Sequence, residues 1–215
     1  GTLRAGFTNS GQVCLCGSRI LLHASIADQF LAKFVERVER MVCGAPEDES
    51  TQIGALISQE HLRKVESYIQ LGIEEGGAVV AGGTREMTGQ VGPTPDGAFL
   101  RPTIIDGLNH TSRTVTEEIF GPVVTIHRFD SDDEAIAMAN STEYGLAGSV
   151  WSKDAERAHA LAQKIETGIV WINTWLHRDL RTPFGGVKNS GVGREGGYWS
   201  LNFFSEPLNV CIKHD

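Results

Sequence analysis

The chain is short of positive charge, of aromatic residues and of cysteine, and it has no long apolar run. Against 27 acidic residues stand only 19 Lys and Arg among 215 residues, a net charge of −8. That balance excludes a phosphate-backbone binder, which needs clustered cations to displace counterions, so no nucleic-acid partner is expected. No stretch approaches the roughly 20 apolar residues that a membrane-spanning helix requires, and no membrane partner is expected either. Gly1-Thr2-Leu3-Arg4 has neither the apolar core nor the cleavage site of a signal peptide, so the chain reads as cytoplasmic. The four cysteines stand at 14, 16, 43 and 211. A chain with an ordinary core needs no disulfide framework. Cys14-x-Cys16 is too tight for the usual zinc pair and has no second pair of matching spacing. Reduced thiols and no metal are therefore expected.

What is present is an ordinary globular composition, 40% hydrophobic and 21% charged, long enough for one domain with a proper core. Apolar runs and helical periods alternate. Strands are expected at 18–23, 78–81, 104–105, 123–129, 149–151 and 169–173. Ser25 is expected to cap a helix with Ile26, Phe30, Phe34, Val38 and Met41 on one side. Ser58 opens a second helix, with Leu62, Val65, Ile69 and Ile73 inward and Gly76-Gly77 ending it. Ser131 with Glu134 reads as a capping box, and a further helix is expected over 154–165. Residues 44–50 and 82–97 read as loops. Strands alternating with helices predict an α/β fold, a mostly parallel open sheet flanked by helices. Leu208 to Lys213 reads as a lone closing strand, able to pair with a sheet edge of its own domain or of a neighbouring subunit.

Chemistry concentrates in three segments. The first is Asn9-x-Gly11-Gln12-x-Cys14-x-x-x-Ser18-Arg19. A cysteine nucleophile needs a thiolate and a backbone that offers N–H donors to an oxyanion; Gly11 allows a tight turn, and the amides of Gln12 and Val13 lie close to Cys14 in sequence. A bare cysteine pair is more simply a pair of small core residues, and Cys16 keeps that reading. The second is Glu117-Glu118-Ile119-Phe120-Gly121-Pro122, otherwise a turn with two solvated charges. The third is Pro183-Phe184-Gly185-Gly186-Val187-Lys188-x-Ser190-Gly191-x-Gly193-Arg194-Glu195. Within it, Gly191 to Gly196 spells a Gly-x-Gly-x-x-Gly string, but no apolar strand precedes it and no acidic residue follows at the right distance, so it is not a dinucleotide fingerprint.

Together the three segments resemble the aldehyde dehydrogenases, over essentially the whole chain. The resemblance implies an NAD-dependent oxidation of an aldehyde to an acid, with NADP left open. It implies Cys14 as nucleophile, passing through a thiohemiacetal and a thioester. It implies Glu118 on the nicotinamide ribose, Phe120 behind the nicotinamide ring, and His61 and Lys64 toward the adenine end of the cofactor, although on an amphipathic helix that pair is more often a solvated face. Phe184 would sit near the substrate tunnel. Trp175-Leu176-x-Arg178-Asp179-Leu180-Arg181-Thr182-Pro183 and Gln12 to Cys16 look like the branch that oxidises 2-amino- or 2-hydroxymuconic semialdehyde. There Arg178 would hold the substrate carboxylate, the plain alternative being a surface pair of Arg178 or Arg181 with Asp179.

The same resemblance predicts a catalytic domain over 1–198 and an oligomerisation strand over 199–215, in a homodimer or homotetramer. It also marks a departure, because the family's general-base glutamate, its oxyanion asparagine and its nucleotide-binding half have no counterpart before Cys14. The expectation is a C-terminal catalytic part that is inactive alone. Two alternatives remain open, a cofactor-independent thiol esterase and a non-catalytic assembly fragment.

Overall fold

The computed structural model describes residues 1–89 and 96–215; the middle of the loop expected over 82–97 lies outside the described residues. In chain order the elements are α1 (Thr2–Phe7), a 3-10 turn (Thr8–Gly11), β1 (Arg19–His23), α2 (Ala24–Glu39), α3 (Gln59–Glu74), β2 (Ala78–Ala81) and β3 (Thr103–Asp106). There follow α4 (Arg113–Thr116), β4 (Val123–Phe129), α5 (Asp132–Ala139), β5 (Tyr144–Gly145), β6 (Ala147–Val150), α6 (Ala155–Ala162), β7 (Ile169–Ile172), β8 (Val187–Lys188) and α7 (Tyr198–Phe204). The main sheet has the order β1-β4-β3-β2. Its pairs β1–β4 and β3–β4 are parallel, and β2 joins as an antiparallel edge. β6 and β7 form a separate parallel pair. This is the expected α/β architecture.

The sheet is apolar on both faces, as a strand covered on both sides must be. Successive residues of β3 and β4 point to opposite faces. Ile104, Val124 and Ile126 join Phe34 and Val38 of α2 in one core, while Ile105 and Val123 join Leu62, Val65 and Ile69 of α3 in the other. Each such side chain withdrawn from water stabilises the fold by about 1.5–3 kcal/mol. Ile26 and Ile73, expected on the inward faces, are instead exposed; the buried positions near them are Ala27 and Gly72, because close helix–sheet contact favours small residues there.

Side chains start three helices as the sequence suggests. Ser58 accepts from the His61 N–H, Ser131 from Glu134 and Asp154 from Arg157, each cap contributing about 1 kcal/mol. The box at Ser131 is incomplete, since the Glu134 carboxylate takes the N–H of Asp130 rather than that of Ser131. α2 is a correction. It is capped by His23, whose Nδ1 accepts the Ser25 N–H, so the helix begins two residues earlier than Ser25 as cap would place it. Arg19 turns out to be structural. Its guanidinium donates to the carbonyls of Met138 and Ala139 at 2.9 and 2.7 Å, closing the C-terminus of α5, where cations are favoured.

The chain end corrects the sequence reading more strongly. Tyr198–Phe204 is a helix, and residues 205–215 carry no strand and pair with no edge among the described residues. The closing strand expected over Leu208–Lys213 does not form within this chain. Yet Leu208, Val210 and Ile212 are 86%, 71% and 74% exposed, since the segment packs on no core cluster among the described residues.

Candidate active site

The segment before Cys14 is a left-handed turn. Asn9, Ser10 and Gly11 have φ of 51°, 55° and 72°, a conformation that costs a non-glycine residue roughly 1–2 kcal/mol. The surroundings hold it there. Asn9 Nδ2 donates to the Gln12 carbonyl at 3.1 Å, and Gln12 Nε2 returns a bond to the Asn9 carbonyl at 3.4 Å. Ser10 is buried and donates to the Gly54 carbonyl at 2.9 Å, while Gln12 Oε1 accepts the Ile57 N–H at 3.0 Å. The polar letters of the motif are therefore the fastenings of a strained loop.

That loop presents Cys14 exposed. The Gln12 N–H is already paired with the Asn9 carbonyl at 3.0 Å. The N–H groups of Val13 and Cys14 have no partner among the described residues, so these two, rather than Gln12, are the donors available to an oxyanion. Cys16 differs. Burial pushes its thiol up to about 11, so it stays protonated and inert near neutral pH.

The second segment lies against the first. Ile119 is buried, and Phe120 adopts a left-handed φ of 59°. α3 grips it along its length: Val65 packs on Gly121, Lys64 Nζ donates to the Glu118 carbonyl at 3.2 Å, and His61 Nε2 lies 2.7 Å from the Phe120 carbonyl. His61 and Lys64 thus hold the backbone of this segment. The two glutamates are also distinguished. Glu117 is bound by Arg113 and by the Tyr68 hydroxyl, which together hold its carboxyl below the usual range. The carboxylate of Glu118 is exposed and bonds to nothing among the described residues, and the ring of Phe120 is likewise exposed.

The third segment reaches the first through a small core. Leu15, Trp171 and Trp175 are buried together, with Val13, Leu176 and Phe184 packed against them, and Trp175 Nε1 donates to the Leu15 carbonyl at 2.8 Å. Both neighbours of Cys14 thus share one apolar cluster with Phe184. Trp175 carries this contact and was legible only as part of the motif, without a role. Arg178 lies over the Phe184 ring at 4.0 Å and pairs with Glu195 at 3.3 Å, whereas Asp179 pairs with Arg181. The glycines of the Gly191–Gly196 string serve turns, three of them with positive φ. Among the described residues no group of His, Cys, Asp and Glu could hold a metal, and no helix is long and apolar enough to cross a membrane.

The chain matches the aldehyde dehydrogenase family over residues 1–210. It is 46% identical over 213 residues to 2-aminomuconic semialdehyde dehydrogenase of Danio rerio, covering 99% of this chain and 44% of that one. It is 48% identical over 214 residues to 2-hydroxymuconic semialdehyde dehydrogenase of Pseudomonas putida, covering 99% and 43%. Its fold superposes with a TM-score of 0.90 on betaine aldehyde dehydrogenase of Staphylococcus aureus in complex with NAD+, at 41% identity over 94% of this chain and 40% of that one. The chain spans less than half the length of these relatives.

Proposed function

The chain belongs to the aldehyde dehydrogenase family, and from that premise we propose that it is the nucleophile-bearing part of an enzyme oxidising a carboxylate-bearing aldehyde of the muconic semialdehyde kind. The observation that carries the reading is convergence. Cys14 is exposed between two residues of the cluster on which Phe184 packs, and its loop touches the segment bearing Glu118 and Phe120. Residues 1–198 would form the catalytic body and residues 199–215 an assembly segment.

The Cys14 thiolate forms a bond to the carbonyl carbon, and the N–H groups of Val13 and Cys14 are the free donors for the oxyanion of the thiohemiacetal. NAD, when bound, supplies the hydride acceptor, as NADP also could. Glu118 fits a ribose diol because its carboxylate is unengaged, and Phe120 fits a planar ring because it is an exposed aromatic on a backbone held by His61. Lys64 would approach the cofactor only by leaving the Glu118 carbonyl. Cys14 then carries the acyl group as a thioester until water releases the acid. No carboxylate or imidazole bonds the Cys14 side chain among the described residues, so a base for that water is not assigned to this chain, and these 215 residues alone should give no sustained NADH. The same lack of an imidazole partner disfavours the thiol esterase.

The test is Arg178→Ala in a protein that joins these residues to the complementary part its relatives possess. kcat/KM for a carboxylated semialdehyde should fall about 10- to 100-fold, the effect expected for losing a charge-assisted bond, while an aliphatic aldehyde should change little. Equal losses for both would remove the carboxylate from the proposal. Loss of all activity in Cys14→Ala is expected, and retained activity would remove the nucleophile.

A further inference from the structure

Phe184 and Glu195 exchange both backbone hydrogen bonds, Phe184 N–H to the Glu195 carbonyl and Glu195 N–H to the Phe184 carbonyl, each at 2.8 Å. Residues paired in this way on antiparallel chains direct their side chains to the same face. Arg178 spans both of them, its guanidinium over the Phe184 ring at 4.0 Å and one nitrogen 3.3 Å from Glu195 Oε1. The pair is long, single-pronged and part-exposed, with side-chain exposures of 32% and 58%. A guanidinium offers five donors and prefers a two-pronged carboxylate. Among the described residues only this one bond from Arg178 is made.

We propose that Glu195 is a resident occupant of the Arg178 carboxylate site, holding the guanidinium over Phe184 until the carboxylate of the substrate displaces it. The proposal rests on the reading of Arg178 as the substrate anchor. Exchange trades a weak, solvated bond for a two-pronged one, and the cation–π contact with the Phe184 ring keeps the guanidinium in place during the swap. An aldehyde without a carboxylate cannot displace Glu195, so it meets an arginine already neutralised. Glu195 is then a specificity-determining residue that sets how strongly the site demands a carboxylate.

The experiment uses sorbate, a six-carbon unsaturated carboxylate with no aldehyde, titrated calorimetrically against the whole chain, so that neither Cys14 chemistry nor cofactor enters. Glu195→Gln keeps the backbone pair with Phe184 and removes the competing charge; it should bind sorbate about 2- to 5-fold more tightly than the wild type, the worth of an exposed ion pair. Asp179→Asn, which removes a neighbouring charge engaged with Arg181, should leave the affinity unchanged. Equal or weaker binding by Glu195→Gln, or an equal gain in Asp179→Asn, overturns the proposal while leaving Arg178 as anchor. Wild-type affinity in Arg178→Ala overturns the anchor itself and the proposal with it.

Discussion

A methyl group on Gly11 would lie 2.1 Å from the carbonyl oxygen of Gly121. The loop that presents Cys14 and the loop that carries Glu118 and Phe120 therefore meet backbone to backbone, with no room for a side chain between them. The contact fixes the distance between a thiol and the residues suited to a cofactor.

Gly11→Ala should disrupt both loops together. Overlap with the Gly121 backbone and a φ of +72° add to a loss of about 2–4 kcal/mol. Denaturant unfolding measures it, and a loss below about 1 kcal/mol would mean that the loops can separate cheaply.

The four thiols should react in two groups. Cys14 and Cys211 are exposed, Cys43 is buried, and burial pushes Cys16 up to about 11. Iodoacetamide at neutral pH should label Cys14 and Cys211 first, and Cys16 only as the pH approaches its raised value. Peptide mass spectrometry over time reads the order. Equal rates at Cys14 and Cys16 would contradict the division between nucleophile and core residue.

His127 should make the fold acid-sensitive. It is buried in β4, and burial, then the charges of Arg19 and His110, lower its imidazole from 6.5 to about 4. The unfolded chain takes up a proton that the folded chain refuses, so the stability is complete above about pH 6.5 and is lost as pH falls through 4. The integrated loss is on the order of 3 kcal/mol. His127→Asn should flatten that slope in stability measured against pH, and an unchanged slope would assign acid sensitivity elsewhere.

The exposed tail should matter for association. Leu208, Val210 and Ile212 alternate along an unpaired segment, the pattern of a strand that finds its sheet in another copy. Val210→Asp with Ile212→Asp should weaken self-association about tenfold or more, given the area each side chain can bury. Light scattering across a concentration series reads it, and unchanged mass would leave the tail without an assembly role.

Much of this was legible in the chain. The β-branched, largely apolar run of 123–126 and the near-four-residue period of 62–69 predict β4 and α3, the first as a strand buried on both faces and the second as a helix with one inward face. Ser58 and Asp154 announce helix starts through local hydrogen bonds alone. The tail forms no strand within this chain, because alternation along the sequence marks a segment able to pair but does not say which edge it pairs with. Ser25 was misread because His23, two residues earlier, offers a ring nitrogen in the better position.

The sequence by itself determined the fold class, the family and the identity of the reactive segments, because periodicity, capping and motif spacing are properties of neighbours along the chain. Only the tertiary structure decided what the motif residues do. Gln12 ties its loop to Ile57, Glu117 is paired with Arg113 and accepts from Tyr68 while Glu118 is free, and Arg178 faces Glu195 rather than Asp179. Each outcome depends on which backbone or charge a distant segment brings within hydrogen-bonding range. Hydrogen bonds and ion pairs act over a few ångströms, and sequence separation carries no information about them.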